Sequence, residues 1–113
     1  MSQITTHVLD VSLGRPAANV AVVLEAQSPG GSWEEAGRGS TDGDGRCRDF
    51  AAAKPLQAGI YRLIFDTRTY FASRNLAALY PQVIIVFEAK DAREHYHIPL
   101  LLSPYGYSTY RGS

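Results

Sequence analysis

Turn signals interrupt this chain before any segment grows long, and that spacing limits what it can fold into. Gly14 with Pro16, SPGGS at 28 to 32, STDGDGR at 40 to 46, Pro81 and the SPYG at 103 to 106 cut it into short pieces. Such residues favour turns for distinct backbone reasons. Between them, GIYRLIF at 59 to 65 sets Tyr61, Leu63 and Phe65 on one face, the two-residue period of a strand. Eight strands are predicted: ITTHVLDV, ANVAVVLEAQ, Trp33 to Gly39, a short Arg46 to Phe50, GIYRLIF, QVIIVFEA, EHYHIPLLL and GYSTYRGS. One helix is predicted over Thr69 to Leu79, where Tyr70, Phe71, Leu76 and Leu79 approximate helical spacing before Pro81. The expected class is an all-β sandwich.

The length, 113 residues, suits one domain spanning 1 to 113, which hides about 65% of the surface of its unfolded chain. Eleven basic and eleven acidic residues give zero net charge, and no run of one sign points to nucleic acid or an anionic membrane. Cys47 is the only cysteine, so neither an internal disulfide nor a thiolate metal cluster is available. A reducing, cytoplasmic setting is the simpler expectation. MSQITTHVLDVS lacks the basic-then-apolar pattern of a leader, and VIIVF at 83 to 87 is far too short to span a bilayer.

Chemistry concentrates in three places. Alternation puts His95 and His97 on one strand face and Tyr96 and Ile98 on the other, and sets His7 beside Leu9. A single strand histidine is more often structural, but histidine exchanges a proton near neutrality, and three of them accompany an arginine and a closing Tyr-Arg-Gly-Ser. His7, His95 and His97 could also bind zinc and leave a position open for water, although no carboxylate is placed to orient them. Arg46 reads either as a surface residue paired with Asp42 or Asp44, or as a side chain aimed inward by the glycines of DGDGR. No Ser or Cys sits in an elbow motif that would mark a covalent nucleophile.

ITTHVLDVSLGRPA at 4 to 17, STDGDGRC at 40 to 47, FDTRTYF at 65 to 71, LYPQVIIVFE at 79 to 88 and HYHIPLLLSPYGYSTYRGS at 95 to 113 together resemble the transthyretin-like 5-hydroxyisourate hydrolases. The terminal tetrapeptide is the most specific element, because transthyretin itself shares the LLSPY and YST framework without keeping YRGS. The resemblance implies a transthyretin-like sandwich of two four-stranded sheets with one short helix. It also implies a homotetramer, a dimer of dimers, whose sites lie in the channel between dimers. The implied reaction opens the six-membered ring of 5-hydroxyisourate at its N1–C6 amide bond during urate degradation, without cofactor or metal. Residue by residue, the family's catalytic groups fall on His7, Arg46 and His97, and its closing signature on Tyr110, Arg111, Gly112 and Ser113. Catalytic status is not carried onto His95.

In the mechanism this suggests, His7 and His97 transfer protons, with His7 the favoured general base, and Arg46 polarises the carbonyl or holds His7 and substrate in register. Tyr110, Ser113 and nearby Ser108 would bind the substrate's ring edges. Alternation sends Arg111 away from Tyr110, which suits it to brace the terminus as well as to bind. The non-enzymatic alternative is a small-ligand carrier using the same channel, as in transthyretin, but a carrier needs an apolar slot more than proton donors and acceptors.

Overall fold

The computed structural model describes residues 3–50 and 55–113. Met1 and Ser2, which open the stretch read for a leader, lie outside them. Strand β1 (Ile4–Asp10) is followed by β2 (Arg15–Pro16), β3 (Ala21–Gln27), β4 (Trp33–Ser40), β5 (Arg46–Cys47) and β6 (Gly59–Phe65). Helix α1 (Thr67–Ser73) leads to β7 (Val83–Ala89), β8 (Tyr96–Ser103) and β9 (Gly106–Thr109). One sheet runs β2-β1-β8-β9, with β5 also paired to β1, and the other runs β4-β3-β6-β7.

The all-β expectation holds, with sheets of five and four strands in place of four plus four; the additional strand is the two-residue β2. β2 and β5 both add to β1, as Leu9 opposite Pro16 and Thr6 opposite Cys47. The predicted fourth strand, Arg46 to Phe50, therefore shrinks to Arg46–Cys47. The two sheets meet on Val8, Val22, Leu63, Phe65, Val83, Leu100 and Leu102, all buried, and each such side chain contributes roughly 1.5–3 kcal/mol of burial.

The helix starts and stops earlier than its apolar spacing suggests. Asp66 caps it by accepting from the Thr69 N–H at 3.2 Å, the favoured arrangement at a helix start. Asn75 takes a positive φ of 57°, and the Leu76 N–H returns to the Phe71 carbonyl at 3.0 Å. That left-handed residue ends the helix, so Pro81 has nothing left to terminate. Tyr70 and Phe71 are buried, whereas Leu76 and Leu79 stay exposed.

Helix and sheet are tied through Asp10, which is fully buried. The Tyr70 hydroxyl donates to its Oδ2 at 2.6 Å, and Arg74 Nη1 donates to the same oxygen. Burial acts to raise the Asp10 pKa, but the Ser12 and Tyr70 hydroxyls, the Arg74 charge and the Ser12 N–H together hold it below the ordinary value. Burial and the adjacent carboxylate push the Tyr70 phenol up to about 12. Stripping one partner from such a buried charge costs about 3–5 kcal/mol. Among the described residues, no helix is long and apolar enough to cross a membrane.

Candidate active site

Strand alternation gathers the titratable side chains on the outer face of the β1–β8 sheet. Ile4, Thr6, Val8 and Asp10 take the core side of β1, so Thr5, His7 and Leu9 face outward. In the same way Tyr96 and Ile98 are buried and His97 is not. Thr5 stands opposite His97 in the parallel β1–β8 register, and His7 stands opposite Arg46 in the antiparallel β1–β5 pair. Residues from the beginning, middle and end of the chain thus become cross-strand neighbours.

Arg46 is delivered by a turn that depends on Gly45. Its φ is +78°, and a Cβ there would stand 2.3 Å from the Val8 carbonyl oxygen, so both conformation and space demand glycine. The Val8 N–H donates to the Gly45 carbonyl at 2.7 Å, which clamps the turn onto β1. Asp42 closes the loop by accepting the N–H groups of Arg46 at 3.0 Å and Asp44 at 2.9 Å. These bonds, that from Arg46 first, hold its carboxyl below the usual range. Arg46 pairs with Asp42 through its backbone, while Arg46 itself lines a cavity of about 260 Å³ together with Thr5, Arg48, His95, His97 and Ser113.

The histidines have distinct surroundings. His7 Nε2 lies 2.8 Å from the Asp44 carbonyl oxygen; a carbonyl can only accept, so Nε2 carries the proton and the neutral ring keeps its lone pair on Nδ1. His97 Nδ1 lies 2.8 Å from the Thr5 hydroxyl, and His95 Nε2 lies 3.1 Å from the same oxygen. The His95 and His97 rings stack with centroids 6.4 Å apart. Burial, reinforced by His95, His7 and Arg46, lowers the His97 pKa below its ordinary 6.5. The unfolded chain therefore takes up this proton before the folded one, and stability falls as pH drops below about 6.5. A ¹⁵N titration of the folded protein should give His97 a midpoint below 6.5; a midpoint at or above that value would contradict the environment described.

The closing tetrapeptide lies along β8 in the same register as β9. The expected strand to Ser113 breaks after Thr109, because the residue opposite Tyr110 would be Pro99, which has no N–H to give. Pairing resumes one step on: the Gly112 N–H donates to the His97 carbonyl at 2.8 Å. A Cβ on Gly112 would stand 2.5 Å from His97 Cδ2 and 3.2 Å from Pro99 Cγ. Only glycine leaves the ring where it is, which gives the G of YRGS a steric cause.

Arg111 turns the other way, as alternation requires. Its guanidinium sits 4.6 Å over the Tyr96 ring, 3.3 Å from the His95 carbonyl oxygen and 3.5 Å from Glu94. Ser108, opposite Leu101, and Tyr110, 57% exposed, lie outside the cavity lining of the single chain. Thr5 and Arg48 were not singled out from the sequence; each lies two residues from a suspected site residue, the spacing that shares a strand face. For the zinc alternative, no group of three His, Cys, Asp or Glu among the described residues could hold a metal ion.

Fold and site together define a two-sheet sandwich of the transthyretin type carrying a polar, titratable pocket on an outer sheet face. The family model for the HIUase/Transthyretin family matches residues 4–112, and the chain belongs to that family. It is 46% identical to the 5-hydroxyisourate hydrolase of Salmonella dublin over 110 residues, covering 97% of this chain and 80% of that protein. The solved Klebsiella pneumoniae 5-hydroxyisourate hydrolase is 38% identical with a TM-score of 0.84, covering 97% of this chain and 98% of that one. Sea bream transthyretin in complex with thyroxine is 30% identical with a TM-score of 0.91, covering 97% and 94%.

Proposed function

We propose that this chain is a 5-hydroxyisourate hydrolase, opening its substrate to 2-oxo-4-hydroxy-4-carboxy-5-ureidoimidazoline in urate degradation, as one domain over residues 1 to 113. The observation that carries this reading is the convergence of Arg46, His97 and Ser113 on one cavity, with YRGS held against the His97 ring. The carrier alternative is the weaker one. The chain is closer in sequence to the Salmonella hydrolase than to the thyroxine-binding transthyretin structure, and titratable side chains face its cavity.

Water attacks C6 of the substrate, a proton passes to a histidine, and the C6–N1 bond breaks as N1 is protonated. His97 is the better general base, because it lines the cavity and is held neutral by burial. His7, not among the cavity residues, has its Nε2–H held by the Asp44 carbonyl and stands opposite Arg46 in the β1–β5 pair, so it keeps that arginine in register while the proton taken up by His97 passes on to N1. Arg46 stabilises the negative charge that grows on the C6 oxygen. Ser113 binds the ring edge, Gly112 makes room for His97, and Arg111 braces the segment against Tyr96. No metal or organic cofactor takes part.

Ser108 and Tyr110 enter through assembly. Among the described residues no strand pairs with the outer edge of β7 or of β9, and Val86, Tyr105, Tyr107 and Tyr110 are exposed. These features support a homotetramer, a dimer of dimers, in which a facing sheet closes the cavity and brings Ser108 and Tyr110 to the substrate. The partners are the small substrate and other copies of the chain, not nucleic acid or membrane. The buried free Cys47 accords with a cytoplasmic location.

Arg46→Ala tests the site. It should lower the catalysed decay of 5-hydroxyisourate by about 10²- to 10³-fold and leave the thermal midpoint little changed, since the turn is held by backbone bonds and Gly45. Parental turnover in the variant, or its unfolding, would make Arg46 structural. Prolonged chelation of the unsubstituted protein should leave its rate intact. A stoichiometric zinc ion whose removal abolishes activity and whose return restores it would replace this mechanism with a metal-activated water.

A further inference from the structure

The Thr5 hydroxyl stands between two histidines and has one proton to offer. It lies 2.8 Å from His97 Nδ1 and 3.1 Å from His95 Nε2, so it can donate to one ring while accepting from the other. The two rings are thereby locked into complementary states. When His97 carries its proton on Nδ1, Nε2 has a lone pair for the substrate side, and Thr5 must donate to His95. Thr5 is buried, whereas His95 is exposed at the mouth of the cavity. The bridge thus leads from the interior of the site to water.

We propose that Thr5 and His95 form a proton relay linking His97 to solvent, a role that rests on the hydrolase reading above and extends its machinery to two further residues. As the water oxygen bonds to C6, its proton passes to His97 Nε2. His97 gives its Nδ1 proton to Thr5 Oγ1, Thr5 gives its own to His95 Nε2, and His95 releases its Nδ1 proton to water. When the C6–N1 bond breaks, the path runs backward: N1 takes the proton from His97 Nε2, and one from solvent returns through His95 and Thr5 to Nδ1. Both rings regain their starting tautomers. The second hydrogen of the attacking water leaves when the new carboxyl ionises, so each turnover balances without any other reactant.

The charges around the bridge favour outward transfer. His97 is faced by His7 on β1, Arg46 on β5 and His95 on its own strand side, and these with burial disfavour a lasting positive charge on its ring. His95 has Glu94 as its chain neighbour, and the Arg111 guanidinium bonds its carbonyl oxygen, not its ring. The ring of His95 is therefore available to exchange with solvent.

The test compares Thr5→Val, Thr5→Ser and His95→Gln. In dilute buffer, Thr5→Val and His95→Gln should each lower kcat by about tenfold with KM unchanged, a fraction of the full proton-transfer contribution. Added imidazole buffer should restore much of that loss, and Thr5→Ser, which keeps the hydroxyl, should recover the rate lost in Thr5→Val. Losses that ignore buffer, or full activity of His95→Gln in dilute buffer, would overturn the relay. His95→Gln changes an exposed side chain, so this arm does not depend on Thr5→Val folding. ¹⁵N spectra of the substrate-free protein give an answer independent of activity: His97 should carry its proton on Nδ1, toward Thr5, and lose that fixed tautomer in Thr5→Val. A His97 ring protonated on Nε2 alone in the unsubstituted protein refutes the relay, whereas absence of any catalysed decay by that protein refutes the hydrolase reading.

Discussion

Replacing His97 with asparagine is expected to lower kcat by about 10²- to 10⁴-fold, the usual contribution of a positioned proton-transfer group. The asparagine side-chain NH2 can still donate a hydrogen bond to the Thr5 hydroxyl oxygen, but asparagine cannot take a proton from water. The backbone bond from the Gly112 N–H to the residue 97 carbonyl does not involve the side chain, so the closing segment should stay in place. Circular dichroism and the thermal midpoint should match the parent near pH 7.5, where the neutral imidazole contributes no charge to stability. Parental turnover by a folded His97→Asn protein would move general-base catalysis to His7.

Ending the chain after Thr109 should cost about 10³-fold in turnover while leaving a folded protein. The Thr109 hydroxyl still donates to the Pro99 carbonyl at 2.7 Å, and the core residues Val83, Ile85, Leu100 and Leu102 are untouched. The truncation loses the Gly112 bond to His97 and the Arg111 contact with Tyr96, together on the order of 1–2 kcal/mol of stability. Catalysis loses more. A catalytic ring displaced by about 1 Å can forfeit about 10² in rate, and a hydrogen bond from Ser113 to the substrate, with roughly 1.4 kcal/mol at stake, adds about tenfold. Gly112→Ala is the milder form of the same experiment, since its methyl group would press on His97 Cδ2 from 2.5 Å. Full activity in a folded chain ending at Thr109 would reduce YRGS to an extension of the strand.

The features legible in the sequence are those set by local rules. The period of two in GIYRLIF and HYHIPLLL separated His95 and His97 from Tyr96 and Ile98, and the structure buries the second pair and leaves the first on the outer face. The same rule sent Arg111 away from Tyr110, toward the Tyr96 ring that now carries it. Less legible were features that depend on two distant backbones. The break at Tyr110 comes from Pro99 across the ladder, and the early helix stop comes from the φ of Asn75, which residue spacing does not encode. Thr5 escaped notice for a different reason: a threonine in a strand is ordinary until its hydroxyl is found between two imidazoles 90 and 92 positions away.

Hydrolysis of 5-hydroxyisourate in this outer-face cavity, as against mere retention of a ligand, is read out by the decay of freshly generated substrate. The measurement follows absorbance in parallel with protein, without protein, and with an equal amount of folded His97→Asn, because the substrate also decays unaided. Rapid decay is expected with the unsubstituted protein, and a rate close to the uncatalysed one with His97→Asn. Decay no faster with the unsubstituted protein than in buffer, accompanied by saturable binding of the substrate, would contradict the hydrolase reading and make the chain a carrier.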